Sequence, residues 1–262
     1  MYKLCSLYSG SSGNATFIGN EHEGILIDAG KNCKNLVLAL KMVCIDPTAV
    51  KGLFITHEHS DHIGALRVFA KTYKIPVYAN EKTLQYLDES GNLDGDFPVF
   101  VMNDYADIGD FHIEAYKTSH DTVDPQCYSI LLPNLEKVSV VTDTGLITEE
   151  TFDGIIDSKA ILLESNHDKD MLSVGPYPYY LKRRILGPKG HLSNDLSSEM
   201  SAALIKKGVT KHILLGHLSA ENNLPDLAFQ AHVARLFEEG ANLNVDYTLE
   251  VAKRHEPTLV EV

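Results

Sequence analysis

At 262 residues with 44% hydrophobic content, the chain is long enough to bury a full core. No run reaches the roughly 18 apolar residues of a membrane span, and Met1–Ser6 lacks the basic-then-apolar order of a secretion signal; together these predict a cytoplasmic protein with no membrane contact. A net charge of −13 argues against a nonspecific duplex-DNA binder but leaves room for a nuclease, since two divalent ions alone add about +4 at a site.

In chain order, strands are expected at Tyr2–Ser9, Asn14–Gly19, Gly24–Asp28 and Gly52–Thr56, with helices at Cys33–Val43, Ile63–Tyr73 and Glu81–Glu89. Then come strands at Phe111–Thr118, Cys127–Leu132, Val138–Thr142, Ala160–Glu164, His212–Gly216 and Asn244–Val251. Helices at Thr148–Ile156, Asp195–Lys207 and Asp226–Glu239 accompany them. Each half is led by strands and closed by helices, which suits two sheets packed face to face with helices outside, a four-layer αββα sandwich of the α+β class. Residues 1–262 read as one domain, with an irregular Pro-, Gly- and Tyr-rich insertion at about 167–190 that holds a short helix at Tyr179–Leu186. Cys5, Cys33, Cys44 and Cys127 form no CxxC pair and read as free thiols in a reducing compartment.

The chemistry concentrates in Thr56-His57-Glu58-His59-Ser60-Asp61-His62, where three imidazoles and two carboxylates fill six positions directly after a strand. Imidazole nitrogen and carboxylate oxygen are the ligand set for zinc, manganese or iron. In extended backbone, residues two apart point the same way, so His57 and His59 can grip one ion. Ser60 is expected to cap the next helix, placing Asp61 and His62 in its first turn and facing the strand end. Further polar residues recur at strand ends: Asp28, His120, Asp143, Glu164 and His217.

These residues, in this order, resemble the metal motifs of the metallo-β-lactamase superfamily. Ser9-Gly10-Ser11-Ser12-Gly13-Asn14, Leu163-Glu164-Ser165-Asn166-His167-Asp168, Gly190-His191-Leu192-Ser193-Asn194 and Leu215-Gly216-His217-Leu218-Ser219 are most similar to the YycJ (WalJ)-like group, relatives of RNase J and RNase Z. The large cap domain of RNase J has no room here, because only about fifty residues separate Glu164 from His217. The resemblance implies two divalent metal ions (Zn, Mn or Fe), one held by His57, His59, His120 and Asp143 and the other by Asp61, His62, Asp143 and His217. A bridging hydroxide would be the nucleophile, oriented or deprotonated by Asp61, with both ions stabilising charge on the phosphoryl oxygens. By the same similarity His191 would protonate the leaving oxygen. Glu164 would orient His191 or a metal-ligand histidine, or serve in a plain buried ion pair. Asp28 is expected to fix the His57–His62 loop by hydrogen bonds.

Charge patterning adds a basic cluster, Lys182, Arg183, Arg184 and Lys189, preceded by Tyr177, Tyr179 and Tyr180. Cations interleaved with aromatics suit a single-stranded nucleic acid, through phosphate pairing and base stacking. The Ser9–Asn14 loop could cradle a phosphate on consecutive amides or form an ordinary tight turn. The other histidines are scattered, and only His167 lies close in sequence to a site residue. The expectation is a dinuclear phosphodiesterase acting on nucleic acid, which the family resemblance implies to be a 5′-to-3′ exonuclease on single-stranded DNA or RNA. The alternative on the same centre is a small-molecule hydrolase acting on a cyclic phosphodiester, thioester or lactam. A di-iron redox enzyme is disfavoured, since relatives of that kind tend to carry Glu where His59 stands.

Overall fold

The computed structural model describes residues 1–262 and stacks two seven-stranded sheets. The N-terminal half lays down β1 (Lys3–Tyr8), β2 (Ala15–Gly19), β3 (Gly24–Ile27), β4 (Val50–Phe54), β5 (Val77–Ala79) and β6 (Val99–Val101) as the first sheet. The second sheet follows with β7 (Tyr105–Ile108), β8 (Phe111–Lys117), β9 (Gln126–Leu131), β10 (Lys137–Val141), β11 (Ala160–Glu164), β12 (His212–Gly216) and β13 (Thr248–Val251). A last strand, β14 (Thr258–Glu261), returns to pair with β1. Helices α1 (Cys33–Met42), α2 (Ser60–Ile63), α3 (Leu66–Tyr73) and α4 (Glu81–Glu89) belong to the first half. Helices α5 (Glu149–Ile155), α6 (Lys169–Val174), α7 (Tyr179–Leu186), α8 (Asn194–Lys206) and α9 (Pro225–Glu238) belong to the second.

The sequence pattern explains the four layers. Central strands are apolar at successive positions because both of their faces are covered. On β3, Ile25 and Ile27 enter a core between the sheets with Phe54, Tyr128, Leu162 and Leu214, while Leu26 faces outward with Leu36 of α1 and Phe69 of α3. On β11, Leu162 points between the sheets, and Ile161 and Leu163 meet Leu204 of α8 and Leu236 of α9. Each such side chain contributes about 1.5–3 kcal/mol on burial. A slip of one residue would exchange the inner and outer sets, so register is strongly specified.

Several elements differ from expectation, α6 among them as an unforeseen helix. The helix foreseen at Ile63–Tyr73 divides into α2 and α3, because Ala65 N–H donates to Ala29 C=O and Gly64 lies against the Gly30 carbonyl. His59, not Ser60, occupies the N-cap of α2 and makes no side-chain cap bond. The last long strand starts only at Thr248, since Asn244 turns left-handed with φ 61°. Strands β5, β6, β7 and β14 were not foreseen; they are three or four residues long, too short for a periodic signal.

Within each sheet, one half is parallel: β3-β4-β5-β6 in the first and β10-β11-β12-β13 in the second. Strands β1 and β8 run in the same sense, each being antiparallel to the strand that separates it from β3 or β10. The C-terminal ends of these strands meet along one edge of the sandwich, where Ser9 Oγ after β1 accepts the His217 N–H after β12 at 2.7 Å. No helix is long and apolar enough to cross a membrane.

Candidate metal centre

Three of the strand-ending residues share an uncommon backbone. Asp28, Asp143 and His217 all have positive φ, 60°, 56° and 56°, a region that costs a non-glycine residue about 1–3 kcal/mol. Each left-handed turn ends its strand and swings a polar side chain over the sheet edge. Gly30 lets the next loop close over it: a Cβ there would collide with the Asp61 carbonyl oxygen. Gly30 N–H instead donates to Asn14 C=O, and Asn14 N–H to Asp61 C=O, tying the Ser9–Asn14 loop to the His57–His62 loop.

Four histidines are anchored through Nδ1, which leaves Nε2 on the side of the centre. His57 Nδ1 donates to Thr56 Oγ1 at 2.9 Å, whose hydroxyl donates in turn to Asp28 Oδ2 at 2.8 Å. His62 Nδ1 bonds Asp28 Oδ2 at 2.7 Å, His120 Nδ1 bonds the Gly190 carbonyl at 3.0 Å, and His217 Nδ1 bonds Glu164 Oε1 at 2.8 Å. Fixing one ring nitrogen on an oxygen sets the tautomer and frees the other as a ligand. Asp28 thus holds both His62 and Thr56, whose N–H it also accepts at 2.8 Å.

Donor atoms of His57, His59 and His120 lie within 4.8 Å of one another, as do those of Asp61, His62 and His217. Asp143 stands between the groups: its Oδ2 is 3.2 Å from His62 Nε2, and its Oδ1 is 3.4 Å from His217 Nδ1 and 3.8 Å from His120 Nε2. Buried Asp143 Oδ2 and His217 Nε2 have no hydrogen-bond partner. Buried polar atoms are nearly always paired, so acceptors converging without donors suit cations, and two divalent ions fit this donor set.

The electrostatics agree. Burial disfavours charge on His62, yet Asp143 and Asp28 hold its pKa well above the ordinary value. His217 behaves likewise: against burial, Asp143 and Glu164 raise it to about 9. Burial would raise Asp143 and Glu164, but the imidazoles of His217 and His62 hold Asp143 well below the usual carboxylate range. His191 and His217 bring Glu164 to about 2. His57, with burial and the neighbouring His62 against its charge, is pushed well down. The raised imidazoles of His62 and His217 and the lowered carboxylates of Asp143 and Glu164 describe groups that stabilise one another's charge in a buried site.

Glu164 reaches both His217 and His191, whose Nδ1 it accepts at 2.8 Å from the same Oε1 atom. His191 keeps a side chain 15% exposed while the Glu164 carboxylate is fully buried. Glu58, the other carboxylate of the motif, faces away and accepts the Val123 N–H at 2.9 Å. His167 is buried with neither ring nitrogen bonded, and burial pushes its pKa down to about 4.

The basic cluster divides. Arg184 forms a two-point ion pair with Asp121, beside His120, and Lys182 Nζ donates to the Ser173 carbonyl at 2.7 Å. These two tether α7, and Ser119 Oγ, donating to the Pro188 carbonyl at 2.7 Å, adds a third tie. Arg183, 6.0 Å from the Tyr179 ring, and Lys189 have no carboxylate partner, and both are exposed, as are Tyr179 and Tyr180. The sequence reading missed Thr56 as an anchor and Asn166, whose Nδ2 donates to His217 C=O at 2.8 Å. It also missed Asn14 as a contact of the centre: its Nδ2 donates to Asp61 Oδ2 at 3.2 Å. All three lie inside motifs already quoted, but only distance assigns them.

Comparison with known proteins gives concordant results. Residues 8–192 match the family model described as the metallo-beta-lactamase superfamily. The chain is 36% identical to exodeoxyribonuclease YycJ of Bacillus anthracis over 257 residues, 97% of each chain. It is 36% identical to exodeoxyribonuclease WalJ of Streptococcus pneumoniae over 250 residues, 94% of this chain and 92% of that one. Among solved structures, the metallo-beta-lactamase fold protein YhfI of Bacillus subtilis superposes with a TM-score of 0.74 at 15% identity over the full length of both. Human tRNase Z, short form, gives 0.66 at 13% identity, covering 99% of this chain and 98% of that one; likeness at this level speaks for the fold alone. The sandwich, the ordered strand-end ligands and these matches lead to one conclusion: the chain belongs to the metallo-β-lactamase superfamily.

Proposed function

We propose that the protein is a metal-dependent exodeoxyribonuclease. The observation that carries this reading is the shared Glu164 carboxylate, which sets His191 beside His217 on the same oxygen, with two near-full-length relatives named exodeoxyribonucleases in support. His57, His59, His120 and Asp143 would hold one divalent ion, and Asp61, His62, Asp143 and His217 the second, with zinc, manganese and iron all compatible with these donors. Such ions, when bound, supply positive charge at the reacting phosphate and acidify water.

The chain's own groups do the rest. Asp61, the most open of the carboxylates in the centre, orients the attacking water and takes its proton. As water adds to phosphorus and the P–O bond to the leaving group breaks, His191 Nε2–H gives that oxygen a proton. Glu164, accepting from His191 Nδ1 at 2.8 Å, holds the ring in place throughout. The whole chain acts as one hydrolase unit, with α7 as its strand-binding element. Its exposed Arg183, Lys189, Tyr179 and Tyr180 would follow a single strand, whereas Lys182 and Arg184 brace the helix. The free thiols of Cys5, Cys33, Cys44 and Cys127 support a reducing, cytoplasmic setting.

The test is turnover of 5′-phosphorylated single-stranded DNA and RNA beside bis-(p-nitrophenyl) phosphate, with Mn²⁺ or Zn²⁺. Stepwise loss of nucleotides from DNA is expected, slowed about 10²–10⁴-fold in His191→Ala. Cleavage of the small diester with neither polymer cut would replace the nuclease reading with a small-molecule phosphodiesterase.

A further inference from the structure

Beyond the metal ligands, the same sandwich edge carries a cavity of about 450 Å³, a size typical of small-molecule sites. It lies between the loop that follows β12 and the turn that follows β13. Ser9, Leu218 and Ser219 form its inner wall, so it begins one residue beyond His217 and shares the Ser9 hydroxyl that accepts the His217 N–H. Leu224, Pro225 and Val251 give it an apolar side. None of its 11 lining residues is acidic, although the chain has 36 acidic and 23 basic residues.

Two of the lining residues are cations, and they differ. Lys253 is exposed and paired with Glu256 at 3.2 Å. Arg254 is partly withdrawn from solvent and has no carboxylate within ion-pair distance. The other four arginines are either exposed, as Arg67 and Arg183 are, or paired with acids, as Arg184 and Arg235 are. Arg254 is held in place by donating to the Leu218 carbonyl at 2.6 Å, and it packs against Gly10, where φ is +131° and a Cβ would lie 2.7 Å from its Nη1. That bond occupies only part of a fork with five donors. A half-buried, fixed guanidinium without a counter-ion, above an apolar wall, fits an anion joined to a flat apolar group.

We infer that this cavity receives a single nucleotide, the one on the His217 side of the scissile bond, with its phosphate on Arg254 and its base against Leu218, Leu224 and Val251. The inference rests on the nuclease reading and deepens it. The two flanks of the centre are built differently: on the His120 side α7 is exposed and suits a continuing strand, and on the His217 side the cavity is walled by the loop after β12 and the turn after β13. A pocket for one nucleotide at the chain end would favour stepwise release of mononucleotides over internal cutting.

The test titrates metal-loaded protein with thymidine 5′-monophosphate and, separately, with inorganic phosphate. It compares the wild type with Arg254→Gln and with Leu224→Trp, which fills the apolar side from a residue 52% exposed. The nucleotide should bind more tightly than phosphate, and each substitution should weaken it about tenfold or more. In turnover, both variants should raise KM for single-stranded DNA at least tenfold more than for bis-(p-nitrophenyl) phosphate. Equal binding of nucleotide by all three proteins, nucleotide no tighter than phosphate, or equal loss on polymer and small diester would overturn the assignment. If the wild type releases nothing from DNA, the nuclease reading falls, and the nucleotide titration still decides the pocket by itself.

Discussion

Two regions of this molecule bury histidine, and they do opposite things with it. In the centre, His62 and His217 are surrounded by Asp28, Asp143 and Glu164, and their pKa values rise despite burial. Between α8 and α9, His232 is equally buried, but no carboxylate faces it, and burial pushes its pKa down to about 4. The hydrogen bonds differ in the same way. His232 uses both nitrogens, donating from Nδ1 to the Ala228 carbonyl at 2.8 Å and accepting at Nε2 from Ser197 Oγ at 3.0 Å. His217 uses Nδ1 in the same manner and leaves Nε2 unpaired. Burial alone therefore does not suit an imidazole to a cation; burial among carboxylates, with the ring anchored through Nδ1, does.

The contrast can be broken most directly at its anchor. Glu164→Gln keeps the shape but removes the charge that both His217 and His191 lean on. Metal affinity by chelator competition, or turnover, should fall about 10–100-fold, the usual cost of losing such a support. Full metal occupancy with full turnover would mean that Glu164 is merely structural. At His232 the effect is on stability and has a defined sign. Its folded pKa lies below the unfolded value of about 6.5, so its neutral form stabilises the fold above pH 6.5. That contribution is lost as pH falls from about 6.5 toward 4. Urea unfolding of wild type and His232→Gln should differ in pH dependence by about 1.2 kcal/mol between pH 7 and 5.5, the wild type losing more.

The smallest effect belongs to the surface. Replacing Arg183 and Lys189 with Ser should weaken single-stranded DNA binding only a few-fold, and should make its logarithmic salt dependence shallower by about 1.4. The same change at Lys206 and Lys207, on the far end of α8, should leave the slope unaltered. Equal slopes for both pairs would remove α7 from the binding surface.

The sequence reading went furthest where strand ends concentrate unusual residues. His57, His59, Asp61, His62, His120, Asp143 and His217 come together, and Glu164 reaches His191. Its reading of charge was less complete. Four adjacent cations look alike in a sequence, but Arg184 is committed to Asp121, 63 positions away, and Lys182 to a backbone carbonyl. Arg254 gave no signal at all, since its lack of a partner is a property of its surroundings.

The sequence alone determined the layered fold and the identity of the donor atoms, because alternating and continuous apolar runs specify which faces are buried and local spacing specifies what a loop can offer. Only the tertiary structure decided which donors are left unsatisfied. Hydrogen-bond partners such as Thr56 for His57, Gly190 for His120 and Arg184 for Asp121 are supplied by how loops from separate strands meet at one sheet edge. The chemistry of the site depends on that remainder, which no single segment contains.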